Sequence, residues 1–268
     1  MSFVPSPLSC LTMKLDYQDS VAILTLCRPD AMNAMSNQFF EDFDVVLSEV
    51  SHVDNPVRAL LITAQGKGFC VGADLKEQSS DMPPNLGDLL RRDLNPLIMR
   101  LKNLPIPTIV AVNGAAAGAG VSLVLACDIA IAARQAYFLQ AFINIALVPD
   151  AGSTYFLPRL VGRARAASLM MLGERLPASK ALDYGIISDV VDQENLLAEA
   201  MKLAQKLAAL PTPALIGIRK LLDNSEQNTL PQQLEDEANR QQQAGQSDDC
   251  MEGIAAFLQK RPPIFKGK

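Results

Sequence analysis

Residues 108–132 read TIVAVNGAAAGAGVSLVLACDIAIA, and the reading of this stretch decides the fold. Thr108–Val112 is a short β-prone run, apolar on both faces, which predicts a strand buried on both sides. Asn113–Gly120 is a glycine/alanine loop, Gly118–Cys127 a helix of small residues, and Asp128–Ala132 a second buried strand. Strand, tight loop, helix and strand in that order predict an α/β protein with parallel pairing. The same region imitates a membrane span, because Asn103–Cys127 carries no charge and has sufficient length. Pro105, Pro107, Asn113 and the glycines 114, 118 and 120 interrupt it, so no membrane segment is expected.

Outward from this stretch the alternation continues. Leu11–Tyr17 and Val21–Cys27, separated by Gln18-Asp19-Ser20, predict a hairpin. Ser36 is placed to cap a helix whose Phe39, Phe43, Val46 and Val50 recur at helical stride. Arg58–Thr63 (RALLIT) predicts a buried strand running into the glycine-rich loop Gln65–Gly72, and a helix follows over Leu86–Leu101. Past Gln193 only helices are predicted, at Leu196–Leu207, Ala214–Leu222, Leu230–Ala244 and Asp248–Lys260. The expected organisation is an N-terminal arm (1–12), an α/β core (13–195) that carries the site, and an all-helical C-terminal region (196–268) appended to it.

Composition excludes several functions. With 24 basic and 29 acidic residues the net charge is −5, which argues against binding nucleic-acid phosphates. Tryptophan is absent and aromatics are 5% of the chain, so an aromatic stacking platform is not expected. The five cysteines form no CxxC pair and read as reduced thiols of a cytoplasmic protein. His52 is the only histidine, which removes both a zinc site of the usual kind and a Ser–His or Cys–His catalytic pair. The opening residues MSFVPSPLSCLT lack a signal peptide's basic start and apolar run, and read as a short disordered arm.

Two glycine/alanine loops, Gly66–Asp74 and Asn113–Gly120, each follow a strand and precede a helix. Such loops are either packing devices or a pair of backbone N–H donors that converge on one oxygen. A dinucleotide fingerprint fails at Leu123, and a phosphate-binding P-loop fails at Gly68. Acid–base work then falls to a carboxylate. Asp150 stands where the apolar run Ile145–Pro149 meets a helix start near Ala151; it is either a general base with a raised pKa or the cap of that helix. Cys70 is a buried thiol or a reactive one. The basic ending Lys260–Lys268 is a solvated tail or an anion contact.

Arg28–Ala34 (RPDAMNA), Gly68–Asp74 (GFCVGAD), Ala111–Ala115 (AVNGA), Pro149–Gly152 (PDAG), Leu157–Arg159 (LPR) and Ala256–Arg261 (AFLQKR) occur in this order along the chain. On these motifs the sequence resembles the crotonase (enoyl-CoA hydratase/isomerase) superfamily over nearly its whole length. The resemblance implies a core of ββα units, a helical C-terminal region that packs homotrimers or hexamers, and acyl-CoA thioester substrates handled as enolates. No metal or redox cofactor is implied, CoA being part of the substrate. It puts the oxyanion-holding N–H groups on Ala73 and Ala119, the CoA nucleotide and pantetheine near Asp30, Ala31, Met32, Asp74 and Leu75, and its adenine and 3′-phosphate near Phe257 and Lys260. The places where the family's hydratases carry two glutamates are occupied here by Ser122 and Phe142, both expected to line the pocket.

Asp150 is therefore the implied acid–base residue, and isomerisation the implied reaction. Asn95–Leu97, Leu147–Asp150, Gly162–Arg165 and the ending Lys260–Lys268 resemble in particular the isomerases of the ring-1,2-epoxyphenylacetyl-CoA type, which act in phenylacetate degradation. An enoyl-CoA hydratase and a non-catalytic CoA-thioester-binding protein are the alternatives.

Overall fold

The computed structural model describes residues 5–52, 54–78 and 85–268, so the first four residues of the expected arm lie outside it. Strand β1 (Leu8–Ser9) pairs antiparallel with β2 (Met13–Gln18), which forms the expected hairpin with β3 (Val21–Leu26). The described end of the arm is thus tied to the sheet rather than free. Thr12 is held as well, its backbone N–H and hydroxyl both donating to buried Asp42 at 2.8 and 2.7 Å. Asp42 lies on α1 (Asn37–Val50), whose N-terminus is capped by Ser36 accepting the Phe39 N–H at 3.2 Å.

Then follow β4 (Ala59–Ala64), β5 (Gly68–Cys70) and the short helix α2 (Leu75–Gln78). The helix expected over Leu86–Leu101 is α3 (Leu86–Leu89) and α4 (Asn95–Lys102), joined through a π turn at Leu90–Leu94. Pro96 explains the wider turn. It has no N–H to give and its ring would press on the carbonyl one α-turn back, so the helix opens there and the Asn95 N–H reaches Leu90 O instead.

Strands β6 (Thr108–Val112) and β7 (Ala115–Ala117) lead into α5 (Ala119–Leu125), and β8 (Ile129–Ala133) and β9 (Tyr137–Leu139) lead into α6 (Ser153–Val161). The core closes with α7 (Arg163–Leu172), β10 (Arg175–Pro177), α8 (Ala178–Asp183) and β11 (Asp189–Val191). Two mixed sheets result, one in the order β1-β2-β3-β4-β6-β8-β11 and one in the order β10-β9-β7-β5. The three pairs β4–β5, β6–β7 and β8–β9 each give their first strand to the large sheet and their second to the small one, whereas β2 and β3 both lie in the large sheet. Parts of both glycine/alanine stretches, expected as loops, are therefore strands: β5 and β7 pair in parallel. Only glycine fits between them. A Cβ on Gly114 would stand 2.0 Å from Lys67 O, and one on Gly120 would stand 2.1 Å from Cys70 O.

The remaining helices are α9 (Leu196–Ala208), α10 (Thr212–Ser225), α11 (Leu230–Gly245) and α12 (Asp248–Leu258). α9 is not part of an appendage. Its stripe Leu196, Ala200, Ala204 and Leu207 is buried with Val21, Leu61, Ile109 and Ile131 of the large sheet, so by packing it belongs to the core. α10 is fastened through one side chain. The buried Arg219 guanidinium donates to Asp128 at 2.6 Å and to the carbonyls of Leu104 and Ile106 at 2.6 and 2.8 Å, while Asp128 also accepts the Thr108 N–H. Among the described residues no helix is long and apolar enough to cross a membrane.

Candidate active site

The two glycine/alanine stretches meet the α3–α4 segment and the loop before α6 around a cavity of about 650 Å³. Its walls are mostly apolar, among them Phe40, Leu90, Leu94, Phe142, Leu147 and Val148. That volume and character suit a small organic ligand. Asp150 is the only ionisable side chain among the described residues lining it.

Ala73 and Ala119 each have a backbone N–H outside the regular strand and helix bonding. Met35 pairs with Ala73 as an isolated parallel bridge, in which Met35 N–H donates to Gly72 O at 2.8 Å and Asp74 N–H donates to Met35 O at 3.0 Å. The flanking peptide groups are thereby used, and the geometry of a parallel bridge turns Ala73's own N–H to the opposite side. Ala119 is the first residue of α5, so its N–H has no partner within the helix. Both residues line the cavity. Gly72, at φ +86°, brings the two segments together: a Cβ there would lie 3.1 Å from Ala119 N.

Asp150 does not cap the following helix. Ala151 and Gly152 both adopt left-handed conformations (φ +50° and +80°), which delays α6 to Ser153 and makes Gly152 its N-cap. The capping alternative for the carboxylate is therefore corrected, since Asp150 contributes its backbone carbonyl, which accepts the Ser153 N–H at 2.9 Å. One carboxylate oxygen, Oδ1, is buried without a hydrogen-bond partner. Burial pushes the carboxyl up from its ordinary 3.8 to about 6, opposed only by its own backbone N–H.

Phe142 lines the cavity as expected, with its ring beside Gly118. Ser122 does not. It is fully buried behind the Asp150 loop, and its hydroxyl is engaged by Asp150 O at 3.1 Å and Ser153 Oγ at 2.8 Å. Residue 122 stands one turn beyond Ala119 on the same side of α5, but there the Asp150 loop and Ser153 of α6 cover it. Cys70 is completely buried and its thiol is pushed up to about 12, which settles it as packing.

Asp30 and Ala31 lie in a 3₁₀ turn that ends at Met32, and Met32 and Asn33 are left-handed (φ +48° and +56°). Asn33 holds this turn to β5 by donating to Gly68 O at 3.0 Å. Arg28 then links it to Asp74 by a 3.0 Å ion pair. The turn thus stands beside Asp74, and Leu75 reaches the cavity wall. Phe257 and Lys260 are not brought to this place. Phe257 is 81% exposed near the end of α12, Lys260 follows that helix, and neither lines the cavity. Among the described residues no three His, Cys, Asp or Glu side chains gather as metal ligands.

The profile of the family described as Enoyl-CoA hydratase/isomerase matches residues 16–268. The chain belongs to the enoyl-CoA hydratase/isomerase family. It is 45% identical over 254 residues to the 1,2-epoxyphenylacetyl-CoA isomerase of Escherichia coli (strain K12), covering 94% of this chain and 97% of that protein. It is 36% identical over 252 residues to the 2,3-dehydroadipyl-CoA hydratase of the same organism, covering 94% and 97%. The crystal structure of enoyl-CoA hydratase from Bacillus anthracis superposes with a TM-score of 0.91 at 32% identity, covering 96% of this chain and 100% of that one. The two mixed sheets and C-terminal helices are the fold of this family, and the protein is an enoyl-CoA hydratase/isomerase-family enzyme. Sequence reasoning missed Gln140 and Ser153, which stand behind Asp150, and the π turn that puts Leu90 and Leu94 in the wall. Pro96 signalled the π turn, whereas nothing in the spacing of Gln140 and Ser153 marked them.

Proposed function

We propose that this family member is an acyl-CoA isomerase whose single acid–base residue is Asp150. The observation that carries this reading is one desolvated carboxylate, with an unpartnered oxygen, in an apolar cavity that also holds the Ala73 and Ala119 donors. With a 3-enoyl thioester, the carboxylate takes a proton from C2. The electron pair moves through the conjugated system to the carbonyl oxygen, where the two N–H groups hold the oxyanion. The resulting carboxylic acid returns the proton at C4, leaving the 2-enoyl thioester. A pKa of about 6 suits both halves of this transfer, being low enough for the base to be ionised at neutral pH and high enough to take a proton.

The CoA portion is assigned to the Asp30–Met32 turn and the Asp74–Leu75 segment. Phe257 and Lys260 are assigned to the adenine and 3′-phosphate of a site contributed across a subunit interface. The exposed apolar side chains Leu222, Met251, Ile254 and Phe257 support assembly of the 196–268 region into a homotrimer or a hexamer of two trimers. The likeness to the Escherichia coli isomerase favours a ring-epoxide thioester of phenylacetate breakdown as the physiological substrate.

Hydration is the second reading, favoured by the hydratases among the relatives and opposed by the apolar ring of Phe142 on the cavity wall, at the position where the family resemblance implies a hydratase's water-activating glutamate. Asp150→Asn is the test of the base: isomerase turnover is lost while a CoA thioester still binds. Near-normal turnover of that variant would overturn the assignment.

A further inference from the structure

We propose that Ser122, Ser153 and Gln140 are positioning residues for proton transfer, forming a one-way chain of hydrogen bonds that ends on the Asp150 carbonyl and sets how its carboxylate enters the cavity. The proposal rests on the reading of Asp150 as the base and names what holds that base in place.

The direction of the chain follows from its two ends. Gln140 Nε2 can only donate, and it does so to Ser153 Oγ at 3.2 Å. The Asp150 carbonyl can only accept, and it takes the Ser122 hydroxyl at 3.1 Å. The Ser153 hydroxyl must therefore donate to Ser122 Oγ across the 2.8 Å between them. All three side chains are buried, at 4%, 0% and 0% exposure for Gln140, Ser122 and Ser153, so water does not compete for these bonds. The Asp150 carbonyl also accepts the Ser153 N–H at 2.9 Å. Two donors on one carbonyl fix the peptide that leaves Asp150.

That peptide needs fixing. It leads into Ala151 at φ +50°, a conformation that is strained for a residue with a Cβ and persists only where the surroundings impose it. If it relaxed, Asp150 would turn with it, and its carboxylate would swing from the apolar cavity toward water. The three side chains touch neither the cavity nor the reacting atoms, so their effect runs through Asp150. No other ionisable group among the described residues faces that carboxylate. α5 carries none, residues 140–149 carry none, Arg159 of α6 turns to Tyr155 and Glu226, and on the α3–α4 segment Asp88 pairs with Arg91 and Arg92 with Asp93.

The test compares Ser122→Ala, Ser122→Thr and Ser153→Ala with wild type and with Asp150→Asn, using kcat, KM and the pH–rate profile for a 3-enoyl-CoA. Ser122→Ala is expected to lower kcat by about 10- to 100-fold, the usual scale for a misplaced catalytic group. Its KM stays within about twofold, since binding contacts are untouched. The acid limb of its profile moves to lower pH as the carboxylate gains water. Ser122→Thr, which keeps the hydroxyl, restores most of kcat, and Ser153→Ala gives a smaller loss of the same kind. Folded Ser122→Ala or Ser153→Ala with wild-type kcat and acid limb, or a loss confined to KM, would overturn the proposal. Should Ser122→Ala fail to fold, Ser153→Ala is judged by the same criteria. Turnover retained by Asp150→Asn would instead strike the assignment of the base, which keeps the two failures apart.

Discussion

Removing the charge of Asp150 should stabilise the protein while abolishing its chemistry. Burial raises the carboxyl from 3.8 to about 6, so the native state resists ionisation more than the unfolded chain does. The unfolded chain therefore gives up its proton first as pH rises. Between pH 3.8 and about 6 it binds fewer protons than the native state, and stability falls across that window. Above it both states are ionised and the cost is constant. A difference of about 2.2 pH units corresponds to about 3 kcal/mol. Asp150→Asn carries no such cost. Its advantage over wild type should be absent near pH 3.5 and grow to about 3 kcal/mol above pH 6.5, or about 5 °C in Tm for a chain of this length. Thermal unfolding of both proteins at several pH values between 4 and 8 measures this directly. A variant no more stable than wild type at pH 7.5, or an advantage that does not change with pH, would show that the carboxylate is not desolvated.

The pH–rate profile reports the same group: isomerase kcat/KM should rise about tenfold from pH 5 to pH 7 and then level, as expected for a base titrating near 6, whereas a flat profile above pH 5 would mean an ordinary carboxylate. Gly120→Ala forces a Cβ to within 2.1 Å of Cys70 O and 2.7 Å of Cys70 C, both backbone atoms. The expected loss is about 4 kcal/mol or more, measured by denaturant unfolding or seen as failure to express folded protein. Arg219→Ala strands Asp128 and frees the carbonyls of Leu104 and Ile106, which should cost about 3–5 kcal/mol and expose α10 to early proteolysis.

The large sheet was legible in the sequence because its strands carry the strong signal of continuous apolar runs, as in RALLIT and TIVAV, and Ser36 marked the start of α1 by its capping chemistry. The small sheet was not. Gly68–Cys70 and Ala115–Ala117 are three-residue strands of mostly small residues, without alternation or β-branching, and only pairing with each other and, for the second, with β9 makes them strands. Local propensity is silent where tertiary contact decides. The start of α6 was misplaced for a related reason. Ala151 reads as a helix former, yet the Asp150 carbonyl is held by Ser122 and Ser153, and Ala151 takes a left-handed turn that no local rule predicts. Asp150 stood out where an apolar run meets a helix start, and the family resemblance pointed to Ala73 and Ala119 in loops that also read as packing devices; that the three line one cavity follows from the second sheet, which the sequence pattern did not contain. Ser122 was assigned to that cavity by its position alone, and the packing of α5 against α6 put it behind the wall.

The central claim is that one carboxylate moves a proton between carbons without activating water. The most direct measurement offers the purified enzyme a 3-enoyl-CoA and a 2-enoyl-CoA under the same conditions, following double-bond migration and 3-hydroxyacyl-CoA formation together. Isomerisation of the first with hydration of the second slower by at least about a hundredfold, equivalent to about 2.7 kcal/mol of barrier, is the predicted result. Hydration at a rate comparable to isomerisation would contradict the account, because Asp150 would then be activating water beside Phe142.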